Sequence, residues 1–291
     1  MEIMTNPQAD RVKATARLST AAGRRKAGAF LVEGPQAVRE AVRAHAAGAA
    51  KVLDVYITQE RAEREPELQG GAGVHSHRVS EEVLAAMADT VSPQGVVATV
   101  ALPPASLNDV VRPGTGLVVV LARVQDPGNA GTILRAADAA GADAVVALKG
   151  TVDLFSPKVV RSTVGSLFHL PVVSGVSLEE AATALGGAGL TLLAADGYGE
   201  QDLDVLQDDA AARRTGQTAK GAAKRPSLIA PTAWLMGNEG SGLSEEELAV
   251  CSARVAIPLY GAAESLNVGT AATLCLYASA RAQRGAQAGA R

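Results

Sequence analysis

Three short segments of the chain combine glycines with polar side chains directly after apolar runs. The first, 126–135 (DPGNAGTILR), follows the apolar run GLVVVL at 116–121. Its glycines permit a tight turn with close backbone approach, and a helix is expected to begin near Ala130, with Arg135 in its second turn. Taken alone, the segment is more typical of an ordinary strand–turn–helix connection with a surface arginine, because such turns are common.

The second segment, 235–244 (LMGNEGSGLS), has three glycines within six residues between a buried strand and a helix. Ser244 and Glu247 form a Ser-x-x-Glu capping box that predicts the start of that helix. A Gly-rich loop at the carboxyl end of a strand is a usual ligand position in α/β sheets. Glu239, set between glycines, indicates a carboxylate with a chemical role, and a plain loop is the alternative. The chain has neither GxGxxG nor GxxxxGK[ST], so a classical dinucleotide fold and a P-loop are not predicted.

The third segment, 257–270 (IPLYGAAESLNVGT), runs from the end of a strand through a short loop into an apolar helix. Asn267 is a good candidate for the N-cap of that helix, a role that needs no ligand. Ser265 is a residue type common in turns.

Together and in this order, the segments resemble the SpoU/TrmH family of the SPOUT methyltransferases over residues 105–291. The matching positions are Asn129, Gly131 and Arg135; Gly237, Asn238, Glu239 and Gly242; and Ile257, Pro258, Ser265, Leu266, Asn267 and Val268. Residues 28–101 resemble more weakly the family's N-terminal substrate-binding domain, a small ribosomal-protein-like α/β fold, through FLVEG at 30–34 and SPQG at 92–95. The Asp-, Arg- and Lys-rich segment 199–232 departs from the family's pattern.

The resemblance implies an enzyme that transfers a methyl group from S-adenosylmethionine to a ribose 2′-hydroxyl of RNA. It also implies that a deep C-terminal trefoil knot holds the cofactor and that the catalytic domains form a homodimer. The implied catalytic residues are Arg135, Asn129, Glu239, Ser265 and Asn267. The implied cofactor-binding residues are Leu193, Ala194, Ala195, Gly197, Met236, Gly237, Asn238, Gly240, Ile257, Leu259, Ser265, Leu266 and Asn267.

Arg135 is the key residue at the 2′-hydroxyl in this resemblance, positioned by Asn129. A guanidinium has too high a pKa to act as a general base. We therefore expect Arg135 to orient the substrate phosphate and to stabilise the developing alkoxide, with the route of the proton left open.

The elements that must position these segments follow an α/β pattern. Before residue 102, helices are expected at 38–47 and 80–88 and strands at 52–57 and 95–101. After it, continuous apolar runs indicate the strands of a parallel sheet covered by helices. These runs are 116–121, 145–148, 190–195, 233–236 and 255–257. Pro103-Pro104 interrupts the pattern, so a domain boundary is predicted there. The resemblance then implies an RNA substrate-binding domain at 1–104 and a knotted methyltransferase domain at 105–291. Segment 199–232 is expected to be a partly disordered surface loop.

The charge distribution bears on which half of the chain contacts RNA. The net charge is −3, but six Lys and Arg residues lie within 11–26, and this local basic cluster suits a phosphate backbone. The predicted RNA-binding residues are Arg11, Arg24, Arg25 and Lys26, and a solvated, frayed helix explains the cluster equally well. In the family that the chain resembles, a separate N-terminal domain more often accompanies ribosomal RNA targets, so the resemblance implies ribosomal RNA as the substrate, with transfer RNA as the alternative. A non-catalytic RNA-binding module and an ordinary α/β nucleotide-binding enzyme are the remaining alternatives.

Few features point to other classes of protein. The chain has two cysteines, Cys251 and Cys275, which form no CxxC pair and have no His ligands nearby, so no metal site and no disulfide are predicted. No apolar stretch reaches eighteen residues, and the N-terminus lacks the pattern of a signal peptide. The expected location is therefore the cytoplasm, with no membrane partner.

Overall fold

The computed structural model describes residues 3–104, 106–217 and 221–289. The chain divides into two compact units, one formed by Met1–Pro104 with Asp153–His169 and the other by Ala105–Val152 with Leu170–Arg291. The first of the two stretches that form the first unit ends at Pro104, where the sequence predicts a domain boundary. It also contains 153–169, which the sequence analysis assigns to the second domain.

The first unit is built on a mixed sheet that has, in the described part of the chain, four strands in the order β1-β4-β2-β3. Its strands are β1 (Ala29–Glu33), β2 (Val52–Ile57), β3 (His75–Arg78) and β4 (Val96–Ala101). Its first helices are α1 (Asp10–Ala16), α2 (Ala21–Ala27), α3 (Pro35–Ala46), α4 (Gln59–Arg64) and α5 (Glu81–Met87). The predicted helix start at Ser80 is confirmed, because its side chain accepts a hydrogen bond from the Val83 N–H and caps α5.

The second unit is built on a sheet whose described strands all pair in parallel, in the order β7-β6-β5-β10-β8-β11-β9. Along residues 106–289 the elements are α6 (Leu107–Val110), β5 (Leu117–Leu121), α7 (Pro127–Ala140), β6 (Ala144–Leu148), α8 (Pro157–Thr163, part of the first unit), β7 (Val172–Val176), α9 (Leu178–Gly187), β8 (Thr191–Ala195), β9 (Gln201–Asp202), α10 (Leu203–Arg214), β10 (Thr232–Met236), α11 (Glu245–Ala249), β11 (Ala253–Ala256) and α12 (Val268–Gly289). The predicted parallel sheet and its apolar strands are confirmed, with ends shifted by one or two residues.

The expectation of a surface loop at 199–232 is wrong for much of that segment. Residues 203–214 form α10, whose buried Leu203, Leu206 and Ala210 lie three and four residues apart on one helical face. The Asp202 carboxylate accepts hydrogen bonds from the N–H groups of residues 204 and 205 and caps the helix. Of its charged residues, Asp208, Arg213 and Arg214 are exposed, whereas Asp209 is buried and binds Arg225. Residues 218–220 lie outside the described residues.

The returning segment 153–169 packs into the first unit through aromatic and ionic contacts. The Phe155 ring lies 5.1 Å from that of Phe30, which is buried in β1. From α8, Arg161 donates to Glu33 at 3.2 Å and to Asp89 at 2.9 Å. A piece of chain more than forty residues beyond Pro104 therefore completes the core of the first unit.

Helix α12 is fixed against the sheet and against α7 by specific contacts. The indole N–H of Trp234, buried in β10, donates to the Ser279 hydroxyl of α12 at 2.9 Å. Near the start of α12, a Cβ at Gly269 would lie 2.9 Å from the Thr132 side chain of α7. Glycine at this position therefore lets the two helices approach closely and brings the start of α12 beside the first turns of α7.

Candidate functional site

The carboxyl ends of β8, β10 and β11 lie side by side in the sheet. Met236 pairs with Ala195, and Ala195 pairs with Val255. The strand-end residues predicted to bind a cofactor, namely Leu193, Ala194, Ala195, Met236 and Ile257, are therefore brought together. Leu193 and Ala194 are fully buried.

The loop after β10, residues 237–243, is called the glycine loop from here on. It folds back on itself, because Asn238 and Gly242 exchange backbone hydrogen bonds at 3.1 and 3.0 Å. A Cβ at Gly237 would lie 2.7 Å from the carbonyl carbon of Gly242, so this close approach requires glycine. The Asn238 side chain accepts from the N–H groups of Gly240 and Ser241 and shapes the loop.

Helix α7 begins three residues earlier than predicted. Asp126 is its N-cap and accepts from the Asn129 N–H at 2.9 Å, and Pro127 occupies the first helical position, where its missing N–H has no consequence. Arg135 is consequently in the third turn, not the second.

Three of the predicted catalytic residues, from three separate segments, form a chain of hydrogen bonds. The Asn267 amide donates to Asn129 Oδ1 at 2.9 Å, and the Asn129 amide donates to Glu239 Oε1 at 3.1 Å. Asn267 Oδ1 accepts from the N–H groups of Gly269 and Thr270, so the predicted N-cap role is confirmed. One asparagine thus starts α12 and holds the side chain that contacts Glu239.

The Glu239 carboxylate accepts hydrogen bonds from the chain after β5. Its oxygens accept from the backbone N–H groups of Gln125 at 3.1 Å and Asp126 at 3.0 Å, as well as from Asn129. Partial burial raises the pKa of Glu239, but the hydrogen bonds from Gln125, Asn129 and Asp126 outweigh it, and the pKa lies below its ordinary value. The carboxylate is therefore charged at neutral pH and is held against the start of α7.

Arg135 and Ser265 stand apart from this hydrogen-bond chain. Arg135 is exposed on α7, and no hydrogen bond or ion pair from the described residues engages its guanidinium. Ser265 lies exposed in the loop between β11 and α12. The guanidinium of Arg135 is thus available to a ligand.

A cavity of about 590 Å³ lies beside the loop that precedes α12. Of the predicted cofactor residues, Ile257, Leu259 and Leu266 line it, together with residues of α10 and α12. Within the described chain, the backbone N–H groups of residues 259–267 have no hydrogen-bond partner. This loop therefore offers an apolar wall and open backbone donors.

In the first unit, the structure corrects one of the predicted RNA contacts. Arg24 is 3% exposed, and its guanidinium is bound to Asp153 and to the carbonyl oxygens of Leu18 and Ser19 at 2.8 and 2.9 Å. Its role is to join α2 to the returning segment, because a buried guanidinium bound at all three of its nitrogens is not accessible to a phosphate. The basic cluster in the sequence gave no sign of which member would turn inward.

The other predicted RNA contacts are exposed. Arg25 and Lys26 lie exposed on α2, and neither forms an ion pair with another described residue. Arg11 is exposed too, and it contacts His77 Nε2 at 2.7 Å and Asp54 Oδ1 at 3.5 Å. Arg25 and Lys26 are therefore the more available cations.

One residue of the site was missed by reasoning from the sequence. Arg123, directly after β5, binds Glu247 through two hydrogen bonds and also contacts the glycine loop. A single arginine at the end of an apolar strand carries no motif, and its partner lies more than a hundred residues away.

Within the described residues, the chain has neither a membrane-spanning helix nor a cluster of metal-binding side chains. No helix in ranges 3–104, 106–217 and 221–289 is long and apolar enough to cross a membrane. In the same ranges, no group of three or more His, Cys, Asp or Glu side chains is arranged to hold a metal ion.

A parallel sheet that gathers Asn129, Glu239 and Asn267 at its carboxyl edge defines an α/β enzyme. Comparison with known families then identifies which one. Residues 116–277 match the SpoU rRNA Methylase family, and residues 9–98 match the MRM3-like substrate binding domain. The chain belongs to the SpoU rRNA methylase family.

Individual relatives resemble the chain over most of its length. The 23S rRNA (guanosine(2553)-2′-O)-methyltransferase RlmP of Bacillus subtilis is 32% identical, covering 95% of this chain and 98% of the relative. The 23S rRNA (guanosine-2′-O-)-methyltransferase RlmB of Bordetella pertussis is 30% identical over 88% of this chain and 94% of the relative. The crystal structure of the SpoU methyltransferase AviRb from Streptomyces viridochromogenes, in complex with the cofactor AdoMet, is 30% identical with a TM-score of 0.77, covering 95% of this chain and 98% of that one.

Proposed function

We propose that this enzyme transfers the methyl group of S-adenosylmethionine to a ribose 2′-hydroxyl of ribosomal RNA, most simply 23S ribosomal RNA. The observation that carries the proposal is the hydrogen-bond chain from Asn267 through Asn129 to Glu239, with the unengaged Arg135 on the same helix as Asn129. The similarity to the Bacillus and Bordetella enzymes, which are named for 23S rRNA, supports ribosomal RNA over transfer RNA.

The residues present fit an adenosyl cofactor. The glycine loop has a turn so tight that a Cβ at Gly237 would collide with backbone, and the loop before α12 has open N–H donors and apolar side chains. Apolar walls with a few fixed polar groups suit a ligand of this kind. The loops after β8, β10 and β11 would hold it, through the backbone near Ala195, Gly197, Met236, Gly240 and Leu266.

When bound, S-adenosylmethionine supplies a methyl group activated by its attachment to a sulfonium, so the acceptor oxygen must be aligned with that methyl and lose its proton. Arg135 carries a permanent charge, and it would orient the phosphate beside the target ribose and stabilise negative charge as it develops on the oxygen. Glu239 is a poor base at neutral pH because its hydrogen bonds lower its pKa. Asn129 carries an amide, which is not a base at neutral pH, and its oxygen accepts from Asn267. These residues position the reaction, and the proton leaves to another acceptor.

The first unit would supply much of the affinity for RNA. Arg25 and Lys26 are exposed on α2, and exposed cations of this kind bind the phosphate backbone in a salt-dependent manner. The match of residues 9–98 to a substrate binding domain supports this division of labour. The enzyme would act in the cytoplasm, where ribosomal RNA is accessible.

We also propose that the catalytic unit forms a homodimer and contains a deep trefoil knot. Support for the dimer comes from partly exposed apolar side chains along the large cavity, among them Tyr260 at 85%, Tyr277 at 49% and Leu274 at 43% exposure. Apolar patches of this kind mark interaction surfaces. Support for the knot comes from the strand order, in which the late strand β10 inserts between β5 and β8. Sedimentation of the wild type and of Tyr277→Asp would test the dimer.

The deciding experiment is methylation of separate ribosomal and transfer RNA pools with tritiated S-adenosylmethionine, followed by mapping of the modified ribose. Label at a ribose of ribosomal RNA is the expected result. Label found only in transfer RNA would show that transfer RNA, and not ribosomal RNA, is the substrate. Cofactor binding without transfer to either pool would favour a non-catalytic RNA-binding role.

A further inference from the structure

Arg123 has an unusual backbone conformation for its residue type. Its φ of +60° lies in the left-handed region, which residues other than glycine and asparagine rarely adopt. The conformation is held on both sides, because its N–H donates to Thr151 Oγ1 at 3.1 Å and its carbonyl accepts from the Asn238 amide at 2.9 Å. Strain of this kind persists only where the surrounding structure imposes it, and it is often found at functional sites.

The guanidinium of Arg123 binds a buried carboxylate in a two-point arrangement. Its Nε donates to Glu247 Oε1 at 2.8 Å, and its Nη2 donates to Glu247 Oε2 at 2.6 Å. The Glu247 side chain is only 8% exposed, and it also accepts from the Ser244 N–H at 2.7 Å. A planar fork matched to a carboxylate fixes both partners in direction as well as distance.

The same guanidinium reaches the glycine loop. Nη2 of Arg123 donates to the Gly242 carbonyl at 3.2 Å, and Nη1 lies 3.4 Å from the Ser241 hydroxyl. Within the same loop, Glu239 accepts from the N–H groups of Gln125 and Asp126. The loop is thus tied to residues 123–126 at its middle and at its far end.

We propose that Arg123 and Glu247 are a positioning pair that holds the glycine loop in the conformation that binds the methyl donor. Neither residue needs to touch the donor, and the pair acts by fixing where Glu239 and the loop backbone lie. The inference rests on the proposed function, in which this loop contacts S-adenosylmethionine. Arginine is retained at a position where glycine would relieve the backbone because its side chain supplies the clamp.

Burial raises the pKa of Glu247, but the hydrogen bonds from Arg123 and the Ser244 N–H outweigh it and leave the pKa below its ordinary value. The pair is consequently charged on both sides at neutral pH. The clamp needs no change of protonation to form.

The test uses the full chain with Arg123→Gly, Arg123→Lys, Glu247→Gln and the Arg123→Gly/Glu247→Gln double variant. Arg123→Gly removes the clamp and relieves the left-handed backbone, but it leaves the Glu247 carboxylate, which is 8% exposed, without its partner, so the melting temperature is expected to fall. The double variant removes that unpaired charge and should recover part of the loss. Val164→Gly is the matched control, because Val164 also has a left-handed φ of +53° but belongs to the first unit, whereas the glycine loop belongs to the second. The readouts are calorimetric titration with S-adenosylmethionine, steady-state kinetics, and hydrogen exchange at the amides of residues 240–242.

Arg123→Gly should weaken cofactor binding about tenfold, raise KM for the cofactor more than it lowers kcat, and speed exchange at Gly242. Lysine should restore only part of the affinity, because one ammonium cannot reproduce the fork. The double variant should be no worse than the worse single variant, since both remove the same contact. The control should bind like the wild type.

Two failures are distinguishable. If the wild type binds no S-adenosylmethionine, the proposed function itself is wrong and this inference falls with it. If the wild type binds and Arg123→Gly binds within twofold with unchanged exchange at Gly242, the positioning pair is refuted and the proposed function stands.

Discussion

Asn267 joins two tasks in one side chain, and a pair of substitutions separates them. Its Oδ1 accepts from the Gly269 and Thr270 N–H groups and caps α12, while its Nδ2 donates to Asn129 at 2.9 Å. Asn267→Ser keeps a good N-cap but is too short to reach Asn129. Asn267→Ala loses both contacts.

The expected magnitudes differ between stability and activity. Loss of an N-cap costs about 1 kcal/mol, so Asn267→Ala should lower the melting temperature by about 2–4 °C, whereas Asn267→Ser should melt close to the wild type. The bond to Asn129 is exposed and contributes about 0.5–1.5 kcal/mol. Its loss leaves the Asn129 side chain unrestrained, so kcat/KM for the cofactor should fall about two- to tenfold in both variants, since 1.4 kcal/mol corresponds to a factor of ten.

The assay compares thermal melts with initial rates of methyl transfer at subsaturating cofactor. The reasoning predicts that the serine variant is stable and impaired and that the alanine variant is unstable and impaired. A serine variant with wild-type rates would leave Asn267 with its capping role alone. An alanine variant with the melting temperature of the wild type would show that the N-cap does not contribute to the stability of the protein.

Four other variants give distinct outcomes. Arg135→Ala should lower methyl transfer about a hundredfold or more with an unchanged melting temperature, because the side chain is exposed and unengaged, and a folded, active variant would remove it from the mechanism. Glu239→Gln should be less stable than the wild type at neutral pH, because an amide nitrogen cannot accept from the backbone donors. The lowered pKa of Glu239 contributes stability above the ordinary value of 4.5, so the difference should shrink as the pH falls through the lowered value, and a pH-independent difference would argue against this linkage. Arg24→Ala should lower the free energy of unfolding by about 2 kcal/mol. The double variant Arg25→Ala/Lys26→Ala should leave the melting temperature unchanged and should reduce the dependence of the logarithm of RNA affinity on the logarithm of salt concentration by about 0.7–0.9 per lost phosphate contact. A stable Arg24→Ala variant together with an unstable double variant would contradict the assigned roles.

The sequence predicted best those features that depend on local residue order. Apolar runs of strand length located β5, β6, β8, β10 and β11 of the parallel sheet because both faces of such strands are buried, whereas β7 and β9 were not predicted. The caps at Ser80, Ser244 and Asn267 were predicted because capping depends on residues two or three positions away. The hydrogen-bond chain to Glu239 was not predicted as geometry, although its members were identified by resemblance.

The features that the sequence did not predict depend on distant partners or on competing signals. Helix α10 was hidden because charged residues outnumber the apolar ones that form its buried face. The inward turn of Arg24 depends on Asp153, which lies 129 residues later in the chain. The clamp formed by Arg123 depends on Glu247, 124 residues away. No local pattern encodes such pairs.

The returning segment 153–169 has a consequence for the order in which the protein folds as it is synthesised. Domains generally fold as units from the N-terminus while the rest of the chain is still being made. Here the first unit cannot bury Phe30 against Phe155 or pair Glu33 with Arg161 until those later residues leave the ribosome. Strands β5 and β6 are synthesised in the interval, before the first unit is complete. A ribosome stalled once residue 104, but not residue 153, has left its exit tunnel would therefore display a protease-sensitive first unit, and one stalled once residue 169 has left the tunnel a resistant one.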